Sequence, residues 1–161
     1  MLQTVKLLGR KYKKYTSIFF WSPCVVHTFN LVFKDFSNSF EWLSNTYKQG
    51  NEIVKYIINH SQALAIYRSN SKLELLKVAK TRVASHYILL KRLSVCRETL
   101  ATTAVLNSWK NWVKQGDENT RKMGSLVAET IGSDTFWKEV ENVAKITKPI
   151  FFLIKFADGE G

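Results

Sequence analysis

The stretch TRVASHYILLKRLSVCRETLATTAVLNSW, residues 81–109, decides how the chain is read. Val83, Tyr87, Leu90, Leu93 and Cys96 recur at the spacing that lines apolar side chains along one face of an α-helix. Leu100, Ala104 and Trp109 extend the stripe, so one long helix is the simplest expectation. Working toward the N-terminus, Ser69 to Lys80 has no clear period and reads as a loop, and Gln62 to Arg68 reads as a short helix. Leu43, Tyr47, Val54 and Ile57 carry a helical period from about Ser39 to Ile58, weakened in the middle by Gly50. Further upstream, Ser22 can cap and Pro23 can open a helix whose stripe is Val25, Phe29, Val32 and Phe36. Before it, Ser17 to Trp21 reads as a short buried strand, and Leu2, Val5, Leu7 and Leu8 begin an amphipathic helix. Toward the C-terminus, Gln115 to Asn119 is a surface turn, and Met123, Leu126, Val127 and Thr130 lie on a helix stopped by Gly132. Ser133 or Asp134 caps a last helix carrying Phe136, Val140, Val143, Ile150 and Ile154. A kink or break is expected near Lys148-Pro149, because proline lacks the amide donor and crowds the preceding turn.

At 161 residues, with 45% hydrophobic side chains, the chain is long and apolar enough for one folded core. Its 24 basic and 13 acidic residues leave a net charge of +11, which favours an anionic partner and makes an acid-rich catalytic centre hard to assemble. Residues 1–100 hold 16 basic and 5 acidic side chains, whereas residues 101–161 hold 8 of each, so the excess belongs to the first part. Two cysteines, Cys24 and Cys96, are too few for a disulfide framework and point to a reducing compartment, nuclear or cytoplasmic. No apolar run approaches the ~18 residues of a membrane span. A mitochondrial presequence is the less favoured reading of the basic, acid-free residues 1–16.

Three constellations could carry chemistry. Cys24-x-x-His27 places a thiol and an imidazole on one face of the Pro23 helix. A structural zinc would need about two more ligands, and Cys96, His60 and His86 show no second paired spacing. Nothing orients a Cys–His nucleophile pair, so inert packing is the favoured reading and no metal or cofactor is expected. Lys6, Arg10, Lys11, Lys13 and Lys14 share the polar face of the first helix. From Arg68 to Arg97 eight basic residues face one acidic residue, Glu74. Within that run, Lys77, Lys80, Thr81, Arg82, Lys91 and Arg92 are candidates for phosphate contact, against the plain alternative of a solvated helix face. Trp109, Trp112 and Trp137 could stack on bases, but their spacing and neutral surroundings favour packing. Aspartate occurs only at positions 35, 117, 134 and 158, none on the expected strand, so a two-metal nuclease centre cannot be assembled.

Residues 20–31, FWSPCVVHTFNL, together with Thr81-Arg82-Val83-Ala84-Ser85, resemble the hAT superfamily of DNA transposases, in particular plant transposase-like proteins with a BED zinc finger and an RNase H-like core. The resemblance runs on through Thr135-Phe136-Trp137 to Lys148-Pro149 and Asp158-Gly159. It implies a metal-dependent cut-and-paste enzyme using two aspartates and a glutamate, none of which this chain supplies. Cys24, His27, Thr81 and Arg82 match positions the family keeps near its active site. The position after the arginine, typically Trp or Phe in the family, is Val83 here, which has no π face to support a flipped base.

The expectation is therefore a mainly α chain: an incomplete RNase H-like α/β core remnant with one short strand over residues 1–37, and a helical insertion-like region over residues 38–161. Its function is expected to be non-enzymatic. Weak, sequence-independent DNA contact through the basic helices is one reading. The alternative is an interaction module that binds a related transposase-like protein or itself, with a decayed reading frame as a third possibility. No membrane contact is expected.

Overall fold

Leu43, Ile53, Val54 and Ile57 fall on one side of a helix, and burying that side against other helices builds the core of the described residues. The computed structural model describes residues 40–77 and 83–157, together with Thr28, Leu31, Asp35 and Ser39 as single helical positions upstream. Among the described residues seven continuous helices follow one another: α1 (Glu41–Asn59), α2 (Ser61–Asn70), α3 (Val83–Val95), α4 (Arg97–Val105), α5 (Asn107–Gln115), α6 (Glu118–Gly132) and α7 (Asp134–Ala157). α1 touches α2, α3, α6 and α7, and α3 lies along α7 in the most extensive helix pair. The α1–α3 approach is close at Gly50, where an added Cβ would lie 2.8 Å from Leu93 Cδ1.

Local chemistry sets the boundaries. The Asp117 carboxylate accepts the Thr120 amide at 2.6 Å and caps α6, and the Ser133 hydroxyl accepts the Phe136 amide at 3.3 Å at the start of α7. The buried Trp137 Nε1 donates to the Ile131 carbonyl at 2.7 Å, satisfying an orphan acceptor in the last turn of α6 and fixing the α6–α7 corner. Between α1 and α7, buried Thr46 donates to the Trp42 carbonyl at 2.8 Å and lies 3.1 Å from Glu139 Oε2.

The expected α/β core is corrected. Among the described residues there is no strand, and nearly all the buried hydrophobic residues of α1–α7 belong to one cluster. The strand proposed at Ser17 to Trp21 and the helix opened by Pro23 lie outside the described residues. An RNase H-like core needs a sheet for its helices to cover. Here the described helices cover each other, and the described residues do not form the strand-bearing fold implied by the hAT resemblance.

Two further expectations change. The single helix from Val83 to Trp109 is three helices, bent at Cys96 (φ −91°, ψ 4°) and broken at extended Leu106 (φ −60°, ψ 142°). Continuing the stripe of Leu93, Cys96, Leu100 and Ala104 would turn polar Asn107 and Ser108 inward and carry Trp109 off the buried face. The break re-phases the helix, and Trp109 and Val113 enter the core. Conversely, α7 runs through Pro149 without interruption. Pro149 is exposed, where water can replace the missing donor, and Val143 and Ile154 are buried on either side of it, so packing holds the helix together.

Candidate functional site

The loop after α2 is held by its own hydrogen bonds. The Tyr67 hydroxyl donates to the Leu73 carbonyl at 2.7 Å, the Ser71 hydroxyl donates to the same carbonyl at 2.8 Å, and the Leu73 amide returns to the Ser71 oxygen at 3.1 Å. Burial, and after it a hydrogen bond with Cys96, push the Tyr67 hydroxyl up to about 12, so it stays protonated as a donor. The Arg68 guanidinium grips Glu74 through two contacts of 2.8 and 3.1 Å, and Lys77 Nζ donates to Asn59 Oδ1 at 3.5 Å. This loop presents Leu73 and Leu76 to α3.

α3 has two apolar faces. Leu89, Leu90 and Leu93 are fully buried, while Ile88 and Val95 remain 36% and 57% exposed. Ile88, Lys91, Arg92 and Val95 stand at i, i+3, i+4 and i+7, and therefore on one stripe. With Leu73, Leu76 and Tyr87 they line an open groove of about 420 Å³. Tyr87 is backed by Phe151 of α7 at 4.6 Å between ring centroids, and Lys155 Nζ lies 5.8 Å from the Phe151 ring. The groove thus has an aliphatic floor, a rigid back and a cationic edge. Among the described residues no acidic group forms an ion pair with Lys91 or Arg92, whereas Arg68 and Arg97 are paired with Glu74 and Asp134.

Of the residues proposed from sequence, Lys91 and Arg92 therefore meet in one groove, and Lys77 stands next to its Leu76 edge. Lys6, Arg10, Lys11, Lys13, Lys14, Cys24, His27, Lys80, Thr81 and Arg82 lie outside the described residues. The three tryptophans considered for stacking are engaged in packing: Trp109 and Trp137 are buried, and partly buried Trp112 sits in a ring cluster with Tyr56, His60 and Trp109 at centroid distances of 5.8, 5.7 and 5.5 Å. Among the described residues no three His, Cys, Asp or Glu side chains gather where they could hold a metal ion, and no helix is long and apolar enough to cross a membrane. Leu73, Leu76, Ile88 and Val95 were not predicted as functional. Their signal was present in Ile88 and Val95, two apolar residues off the buried stripe of a helix that has another apolar face.

Comparison with protein-family models, curated proteins and solved structures returned no match. The hAT resemblance thus finds support neither in these comparisons nor in the described residues, which contain no strand.

Proposed function

We propose that the chain is an interaction module whose loop–α3 groove receives an acidic amphipathic helix of a partner protein. The observation that carries this reading is the Ile88–Lys91–Arg92–Val95 stripe, with exposed aliphatic residues at its ends and, between them, two cations that have no ion-pair partner among the described residues. Two turns of such a stripe match the i, i+3, i+4, i+7 anchors by which one helix reads another. Leucine or isoleucine side chains of the partner fit the aliphatic floor, and its carboxylates fit the cationic edge. The setting is nuclear or cytoplasmic, where buried Cys96 remains a thiol.

The same cations would serve sequence-independent DNA contact, but the groove offers aliphatic side chains and a buried tyrosine rather than an open ring for stacking. Fluorescence anisotropy with a labelled, helical Leu/Glu-rich peptide and with a short DNA duplex separates the two. Ile88→Ser should weaken the peptide by about tenfold, the equivalent of ~1.4 kcal/mol, and leave any duplex binding unchanged. A peptide that binds the Ile88→Ser variant and the unmodified chain equally well overturns the proposal, as does self-association of the unmodified chain that occupies the groove.

A further inference from the structure

We infer that a second groove, between α5 and α6, binds a small soluble organic phosphate of nucleoside diphosphate size. Lys110 and Lys114 project at i and i+4 from α5, and Arg121 and Ser125 at i and i+4 from α6. Together they line an opening of about 430 Å³ over Trp109, Val113 and Ala128, with no acidic side chain in the lining. That size falls within the ~300–1,000 Å³ range of small-molecule sites. Three cations and a hydroxyl suit two linked phosphates, and the apolar floor suits a flat organic body.

Two features give this groove its shape before any ligand arrives. Gly124 is buried where α5 crosses α6, and an added Cβ there would lie 2.6 Å from Val113 Cγ2 and 2.8 Å from the Tyr56 hydroxyl, so the close helix approach depends on its absence. Arg121 Nη1 donates to the Gly116 carbonyl at 2.7 Å, which holds the guanidinium in place while its remaining N–H groups stay available. Asp117 is the acidic group beside Arg121. Its carboxylate is engaged in capping α6 through the Thr120 amide, and the Thr120 side chain first, then that amide, hold it below the usual carboxylate range. The site is independent of the loop–α3 groove and lies in the part of the chain whose charges balance overall. Its cations are concentrated by folding, not by composition.

Isothermal titration of the full chain with ADP, pyrophosphate and adenosine tests the inference. ADP should bind at one site per chain, pyrophosphate more weakly, and adenosine not measurably. Lys114→Gln/Arg121→Gln should weaken ADP by about tenfold or more. Lys91→Gln/Arg92→Gln, which removes the same charge from the other groove, should leave ADP binding unchanged. Ala128→Phe, which fills the groove and keeps every charge, should abolish binding, and circular dichroism melting identifies any variant that fails to fold. If Ala128→Phe does not fold, the paired charge variants decide. The inference is overturned if ADP does not bind, if both charge variants weaken it equally, or if only vesicles of anionic lipid bind.

Discussion

The Tyr56 hydroxyl of α1 donates to the Thr120 carbonyl in the first turn of α6 at 2.9 Å, joining two residues 64 positions apart where α5 also packs. The bond is partly buried, and the ring packs on Trp112 and His60. Tyr56→Phe keeps the ring and deletes the donor. It should destabilise the chain by about 1 kcal/mol, the net worth of one such hydrogen bond, with no change in helix content. Urea denaturation followed by circular dichroism gives the number, and an unchanged midpoint would show that the bond contributes nothing.

Alanine should be costly at one glycine and tolerated at another. Alanine is the better helix former by about 1 kcal/mol, but at Gly124 its methyl would collide with Val113 at 2.6 Å, and a valine side chain has little rotamer freedom to yield. Gly124→Ala should therefore destabilise by about 1–3 kcal/mol, the range for overfilling a packed site. At Gly132 nothing lies within 4 Å of the added Cβ, and Gly132→Ala should be neutral or stabilising by up to about 1 kcal/mol. Thermal melts should place Gly124→Ala below the unmodified chain and Gly132→Ala at or above it.

Trp137→Phe tests the α6–α7 corner. The change leaves the Ile131 carbonyl without its buried donor, at a helix end that has no other intrahelical partner for it. A loss of about 1–3 kcal/mol is expected, more than the Tyr56→Phe loss because the site is fully buried. Hydrogen exchange should accelerate first in the last turn of α6. Acceleration confined to α3 would contradict this placement.

Stability should fall as pH rises from about 10 to about 12. Burial raises the Tyr56 hydroxyl, with the Asp117 charge adding to it, and burial with the Cys96 contact raises Tyr67, each to about 12. Unfolding returns both to their ordinary value near 10, so between those limits the unfolded chain has released protons that the folded chain still holds. The contribution is complete below pH 10 and is lost through 12. The Tyr56→Phe/Tyr67→Phe variant should lose stability less steeply across that interval than the unmodified chain, and an identical slope would refute the assignment.

The Arg97–Asp134 pair should matter little. Its atoms are 2.9 Å apart, but Asp134 is almost wholly exposed and water screens it. Asp134→Asn is expected to cost less than about 0.5 kcal/mol. Arg97→Ala should cost more, because the guanidinium also lies 5.3 Å from the centroid of Trp137 and loses that cation–π contact. Denaturation midpoints of the two variants rank the effects.

Much of the helical plan was legible in the residues themselves. The periods of Leu43 to Ile57 and of Phe136 to Ile154, the turn at Gly116 and the cap at Ser133 are local signals, produced by side-chain spacing and by which backbone groups lack partners at a helix end. The break at Leu106 and the uninterrupted passage through Pro149 are tertiary decisions. In each, the packing of a distant helix outweighs a local preference of about 1–3 kcal/mol. The grooves divide the same way. A charge count locates cations along the chain, but only folding brings Lys110, Lys114 and Arg121 around one opening, or leaves Ile88 and Val95 uncovered beside Lys91 and Arg92. Composition is a sum along the chain, whereas a binding surface is set by which helix faces remain after the core has taken its share.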